Sequence, residues 1–459
     1  MISSDAAGSF RRAKQRRGNS SAILILSMKS ESQVIVHPAR SVHGSVRLPG
    51  DKSISHRYAM LAAIADGPSR LENYSTGADC ASTLGCLRSL GVKWERKDSG
   101  NNVIEIQGGG LSLTAANQPL DCGNSGSTIR MLSGIVAGQK FTCEMAGDES
   151  LSRRPMERVI IPLAAMGAEI MSEKGRPPLR ITGGNLKGIN YQMPVASAQV
   201  KTCLLFAGLL AEGETHIVEP LRTRDHGEVA LQAFGAKIGR KGNEVSIRGG
   251  QVLRGIEACV PGDLSSTAFF LCAAALFPDS QLTVPNLLMN PTRARLLDIL
   301  MQMGLRISVT QLEEIRGELV GTVQVEGGRL KGATIAGADT AALIDEIPVL
   351  AAIGPYTEQG IEVQDARELR VKESDRIASI ITNLRAMGAQ AEEQEDGFKI
   401  PGGQSLNGSE LETFGDHRIA MAFSIAALRA RGETLIRGSE CVAISYPEFF
   451  SKLAELTER

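Results

Sequence analysis

The stretch Ala198–Gly250, AQVKTCLLFAGLLAEGETHIVEPLRTRDHGEVALQAFGAKIGRKGNEVSIRGG, decides the fold because it contains one complete supersecondary unit. Ala198–Ala211 is rich in Ala and Leu and almost uncharged beyond its first turn, the pattern of a helix buried on most sides. A turn, Glu212-Gly213-Glu214-Thr215, leads into a β-branched strand, Thr215–Val218. A second, amphipathic helix stops at Phe234-Gly235-Ala236, where Gly ends the helix. An alternating strand follows, and Gly249-Gly250 closes the unit.

The same order of words recurs on either side of this unit. Apolar first helices are expected at Ser53–Ala65, Ser127–Ala137, Ala198–Ala211, Ser265–Phe277, Asp345–Ile353 and His417–Ala430. Second helices stop at Gly91, Gly167, Gly235, Gly304 and Gly388, and Gly doublets end five units at 108–109, 183–184, 249–250, 327–328 and 402–403. A spacing of roughly 70–85 residues is too long for a solenoid repeat and suits a βαβ-type unit. The sixth unit ends early, at a helix over Pro447–Leu456. Six units predict an α/β protein of two pseudo-symmetric domains, three units each, with a break near Pro261-Gly262 and the site in the cleft between them.

Composition narrows the function. The chain has 459 residues with 50 Lys+Arg against 51 Asp+Glu, so no global field attracts nucleic acid or an anionic membrane. Eight Cys stand without a C-x-x-C pair and six His without metal spacing, which reads as reduced thiols in a cytoplasmic protein and no metal site. No apolar run approaches the length of a bilayer span. Arg11, Arg12, Lys14, Arg16 and Arg17 precede only a short apolar stretch, Ile23–Leu26, so residues 1–28 read as a disordered leader rather than a signal peptide.

The chemistry-bearing words cluster at the starts of the first helices: Asp51-Lys52-Ser53-Ile54-Ser55-His56-Arg57, Gly123-Asn124-Ser125-Gly126-Ser127-Thr128-Ile129-Arg130, Ala196-Ser197-Ala198-Gln199 and Gly415-Asp416-His417-Arg418. Helix N-termini carry unpaired N–H groups and partial positive charge, so they bind anions. Any one of these words alone would be an N-cap; four together, each with a long cationic or amide side chain nearby, indicate a binding site. Arg153-Arg154-Pro155, Arg222-Thr223-Arg224 and Arg370–Arg376 add cations, the last readable as ion pairs along one helix face. No P-loop, dinucleotide fingerprint or nucleophile elbow is present, and Cys122 and Ser197 read as a buried thiol and a helix cap.

These words, with Leu48-Pro49-Gly50 before the first and Ser152-Arg153-Arg154-Pro155-Met156, resemble the 5-enolpyruvylshikimate-3-phosphate synthase family from about Gln33 to Leu456. The resemblance implies transfer of the enolpyruvyl group of phosphoenolpyruvate to the 5-hydroxyl of shikimate 3-phosphate, releasing phosphate, by a cytoplasmic monomer. It implies no metal or organic cofactor, nucleic acid or membrane. The implied fold is two inside-out α/β domains of three βαβαββ-type repeats, with 29–51 plus 263–459 as one domain and 52–262 as the other. Lys52, Ser53, Arg57, Ser197, Ala198, Gln199, Asp345 and Lys372, with Arg224, would hold shikimate 3-phosphate. Lys52, Gly126, Arg154, Gln199, Arg376 and Arg418 would hold phosphoenolpyruvate.

Asp345 is the expected base, although it also reads as an N-cap of the helix after it; Glu373 is the expected proton donor and Lys52 the charge stabiliser, in a division the sequence leaves open. Ala443-Ile444-Ser445-Tyr446-Pro447 replaces a family Lys ahead of an aromatic-Pro pair, which resembles the class II branch, often insensitive to glyphosate. Gly126 keeps the small residue associated with inhibitor access, so inhibitor response stays open. Two rival readings are disfavoured. The sister transferase acting on UDP-N-acetylglucosamine carries Lys-Asn and a loop Cys, whereas here Ser53 follows Lys52 and Ala146–Met156 lacks Cys. A non-catalytic or nucleic-acid-binding scaffold would need more stacking surface than one Trp and five Tyr.

Overall fold

The computed structural model describes residues 32–98 and 102–458; the expected leader lies outside them. Six small sheets surround two groups of central helices. In the third unit, Asn190–Gln192 runs parallel to Glu214–Val218, which is antiparallel to Glu244–Arg248, itself antiparallel to Ile238–Lys241. The same order recurs in the sheet built from Leu120–Asp121, Thr142–Ala146, Arg176–Thr182 and Glu169–Glu173, and in the one built from Ala333–Ile335, Ile361–Val363, Gly397–Ile400 and Glu392–Gln394.

Chain ends and crossings complete the other sheets. Glu257–Cys259, after the third unit, pairs parallel with Asp66–Glu72 of the first. Ser41–Ser45 pairs parallel with Gln281–Leu288. Gln33–Val36 lies antiparallel on Thr434–Arg437, supplying the strand that the truncated sixth unit lacks.

The central helices are Lys52–Ile64, Gly126–Ala137, Ala198–Leu210, Leu264–Ala275, Ile347–Ile353 and His417–Ala427, and nearly every residue beyond their first turns is buried. Helices inside and sheets outside explain why these segments lack a polar face. The buried apolar side chains form two clusters, one from Ile54 to Val260 plus Leu288, the other from Val36–Leu48 and Leu264–Leu456. Between these clusters the chain crosses twice, side by side: Gly50 bridges Gly262, Asp51 N donates to Pro261 O (2.8 Å), and Asp263 N to Pro49 O (3.0 Å).

The glycine pattern has a steric cause. The first Gly of each doublet lies against the carbonyls that end a central helix or the turn after it: a Cβ at Gly108 would sit 2.2 Å from Ala65 O, at Gly249 1.7 Å from Ala211 O and at Gly327 1.9 Å from Phe277 O. The five second-helix stops all adopt left-handed φ, from +86° to +109°, which Gly takes without strain.

Two expectations are corrected. The helix expected from Asp345 begins only at Ile347, with Pro348 in its first turn, leaving Asp345 outside it. Lys372–Asp375 is not a helix face either: a 3₁₀ turn ends at Val371, and Asp375 caps the helix Arg376–Ala386.

Candidate active site

All six central helices point their N-termini into one cavity of about 950 Å³ between the two cores. Its lining includes Lys52, Ser53, Gly126, Ser197, Ala198 and Gln199 from three helix starts, and Ser265, Asp345, His417 and Arg418 from at or beside the other three. Eleven Lys and Arg line it against eight Asp and Glu, so the helix termini and the side chains add to the same positive potential. Ser197 caps its own helix as expected, accepting from Val200 N at 3.4 Å.

Asp345 is the centre of the cationic group. Its carboxylate lies 2.9 Å from Arg224 Nη2, 3.6 Å from Arg376 Nη1 and 4.0 Å from Lys372 Nζ, while Arg418 Nη1 donates to its backbone carbonyl at 2.7 Å. The N-cap role is not taken up: Glu346 occupies the cap position, and the Asp345 side chain faces the cleft. Burial would raise the pKa of Asp345, but Arg418, Arg224, Lys372 and Arg376 outweigh it and hold the carboxyl well below the usual range. Glu373 pairs with Arg376 Nη2 (2.7 Å) and Arg154 Nη1 (3.3 Å), and these two cations, with Lys52, overcome burial in the same way. With protein groups alone around it Glu373 is therefore a carboxylate, and it must gain a proton before it can donate one.

Burial would also lower the pKa of Lys52, yet Asp79, whose Oδ2 lies 3.0 Å from Nζ, keeps it above its ordinary value. Lys372 shifts the other way: burial, seconded by Arg376, exceeds the pull of Asp345 and lowers it. The His417 imidazole is pushed down to about 4 by burial and Lys52, so it is neutral at pH 7.

Around Gly126 the wall is guanidinium: a Cβ there would lie 2.9 Å from Arg130 Nη1 and 3.4 Å from Arg154 Nη1. Arg130 donates to Gln199 Oε1 (2.9 Å), and Gln199 Nε2 to Ser127 Oγ (2.9 Å), locking the amide orientation between two helix starts.

Arg57 is placed differently from the expectation. It lies behind the lining, donating to Ser53 O (2.9 Å), Ala198 O (3.4 Å) and Thr202 Oγ1 (2.8 Å) and so tying two helix starts together. Sequence reasoning did not single out Asp79, Arg158, Arg293 or Glu368. Arg158 makes a two-pronged pair with Glu368 across the cleft (3.0 and 3.1 Å), and buried Arg293 reaches Asp51 (3.3 Å) and Ser265 Oγ (2.6 Å) at the crossing strands. Arg130 and Asp51 stood inside helix-start words; the other four carried no local signal.

Among the described residues no three His, Cys, Asp or Glu converge as a metal site, and no helix is long and apolar enough to cross a membrane.

Known proteins match this arrangement over nearly the whole chain. Residues 36–453 match the family described as EPSP synthase (3-phosphoshikimate 1-carboxyvinyltransferase). A 3-phosphoshikimate 1-carboxyvinyltransferase of Koribacter versatilis is 58% identical over 426 residues, covering 93% of this chain and 99% of the relative. One from Solibacter usitatus is 53% identical over 425 residues, covering 92% and 99%. The solved structure of the EPSP synthase from Acinetobacter baumannii superposes with a TM-score of 0.83 at 41% identity, covering 93% of this chain and 98% of that one. With its six-unit inside-out fold and continuous match to these proteins, the chain belongs to the EPSP synthase family.

Proposed function

We propose that the chain transfers the enolpyruvyl (carboxyvinyl) group of phosphoenolpyruvate to the 5-hydroxyl of shikimate 3-phosphate, releasing inorganic phosphate. The observation that carries this reading is the cavity in which six helix starts and eleven cationic side chains surround two ionised carboxylates, Asp345 and Glu373. Both substrates bear a phosphate and a carboxylate, and the planar forks of Arg154, Arg376, Arg418 and Arg224 suit both groups. Lys52, Gly126, Arg154, Gln199, Arg376 and Arg418 hold phosphoenolpyruvate. Lys52, Ser53, Ser197, Ala198, Gln199, Arg224, Asp345 and Lys372 hold shikimate 3-phosphate, and Arg57 fixes the helix starts beneath it.

In the addition step Asp345 accepts the 5-hydroxyl proton as that oxygen attacks C2 of phosphoenolpyruvate, and the C3 methylene gains a proton to become methyl. In the elimination step the methyl loses a proton, the C2–O bond to phosphate breaks and the vinyl ether forms. Lys52 and the arginines stabilise charge on the phosphate as it leaves. Glu373 supplies the methylene proton after the substrate anions engage Arg376 and Arg154, weakening the ion pairs that hold it ionised.

The two halves act as domains, 29–51 plus 263–459 and 52–262, of which residues 29–31, 99–101 and 459 lie outside the described residues. Their separate apolar cores, and the ion pairs Arg154–Glu373 and Arg158–Glu368 between them, support a hinged closure. A monomer in the cytoplasm fits a site built wholly from one chain and eight unpaired thiols.

The test is phosphate release from phosphoenolpyruvate with shikimate 3-phosphate, run beside UDP-N-acetylglucosamine, each with and without glyphosate. Release with shikimate 3-phosphate alone is expected. No release with it, or release with the nucleotide sugar, overturns the reading; the glyphosate arm reports inhibitor response.

A further inference from the structure

Lys201 stands out because its side chain is 0% exposed in a helix that is otherwise apolar beyond its start. A buried ammonium is costly unless it is fully paired. Lys201 Nζ lies 3.0 Å from Glu219 Oε2 and 2.8 Å from Glu228 Oε1, and Arg240 reaches the same two carboxylates at 3.5 and 2.8 Å. Two cations thus balance two anions beneath the cavity wall.

The cluster is connected to the site by one segment. The other oxygen of Glu219 accepts from Thr223 N (3.0 Å) and from the Thr223 hydroxyl, which folds Pro220–Arg224 back over the buried group. The next residue, Arg224, makes the 2.9 Å pair with Asp345 across the cleft. Asp225 is held from the far side by Asn290 (2.9 Å). The direction of the Arg224 fork therefore depends on where Glu219 is held, and Lys201 holds it.

Resting on the functional reading above, we propose that Lys201 is a positioning residue for shikimate 3-phosphate, acting through Glu219 and Thr223 on the loop that carries Arg224. Replacing Lys201 by Met leaves Arg240 alone to balance Glu219 and Glu228, so one carboxylate turns away or takes up a proton and the loop loses its anchor.

The experiment measures KM for both substrates in Lys201→Met, Lys201→Arg and Thr223→Val, each alone and combined with Arg224→Gln. Lys201→Met should raise KM for shikimate 3-phosphate about tenfold, the worth of one hydrogen bond to a charged group. KM for phosphoenolpyruvate should hold within about twofold, and Lys201→Arg, which keeps the charge, should regain most of the loss. Thr223→Val should act in the same direction, more weakly. In the Arg224→Gln background both effects should vanish, because residues acting through one another are non-additive. Equal rises in both KM values, or effects that simply add to Arg224→Gln, overturn the inference. If Lys201→Met does not fold, the loop variant Thr223→Val decides by the same criteria. Failure of the unaltered chain to release phosphate overturns the functional reading itself, whereas normal release with additive variants overturns only the role of Lys201.

Discussion

Asp345→Asn separates catalysis from binding at this site because the substitution keeps shape and removes one charge. As the base for the 5-hydroxyl, Asp345 contributes about 10²–10⁴ in rate, equivalent to about 2.7–5.4 kcal/mol of barrier. Its effect on binding has the opposite sign. The carboxylate occupies Arg224 at 2.9 Å and lies near Arg376 at 3.6 Å and Lys372 at 4.0 Å, so the amide frees cationic capacity for substrate anions. One charge about 8 Å from a substrate anion, at an effective dielectric of about 20, is worth at most about 2 kcal/mol. The variant should therefore bind shikimate 3-phosphate as well as, or better than, the parent while kcat falls a hundredfold or more.

Steady-state phosphate release gives kcat, and calorimetric titration with shikimate 3-phosphate gives affinity. Turnover within tenfold of the parent removes Asp345 as base. Affinity lowered more than tenfold shows that the carboxylate holds substrate rather than deprotonating it. Stability supplies an independent sign. Because Asp345 is held well below its ordinary value, its contribution is full above the unfolded value near 4 and is lost as pH falls through the folded value. The Tm gap between parent and variant should thus be widest near neutrality and narrow in acid; a gap that widens in acid refutes the depressed pKa.

Arg418→Ala should chiefly raise KM for phosphoenolpyruvate, since the guanidinium lines the cavity and, among the described residues, its side-chain hydrogen bond goes to the Asp345 carbonyl; an unchanged KM in a folded variant refutes that role. Substrate anions that draw Arg376 and Arg154 away from Glu373 should raise its pKa, so in mildly acidic buffer the parent should take up more protons on binding than Glu373→Gln does. Titration in buffers of different ionisation heat measures this, and equal proton uptake removes Glu373 as the donor. Gly134→Ala should lower Tm, because the new methyl carbon would lie 2.1 Å from Cys203 O on the neighbouring central helix. Gly85→Ala, in an open part of the helix Ala78–Ser89, should stabilise by about 0.5–1 kcal/mol; a lower Tm there would mean that helix is more tightly packed than its surroundings indicate.

The repeat, the buried helices and the words at their starts were legible in the amino-acid order. These rest on local physics: a helix buried on most sides carries little charge beyond its first turns, a left-handed stop calls for Gly, and a cap needs a short polar side chain. Close approach explains the doublets as well, since Gly108 and Gly249 leave room only for hydrogen beside a helix end. Which charges meet is set by the folding of the whole chain. Arg154 faces Glu373 across 219 residues of chain and Arg158 faces Glu368 across 210, Arg57 turns behind the wall, and Asp345 leaves its helix to sit among four cations. Asp79 and Arg293 carry no motif, yet they hold Lys52 and Asp51, at the first crossing strand, from either side. Such pairings depend on two crossing strands bringing the halves together, and a Coulomb interaction depends on distance in space and on burial, neither of which spacing along the chain specifies.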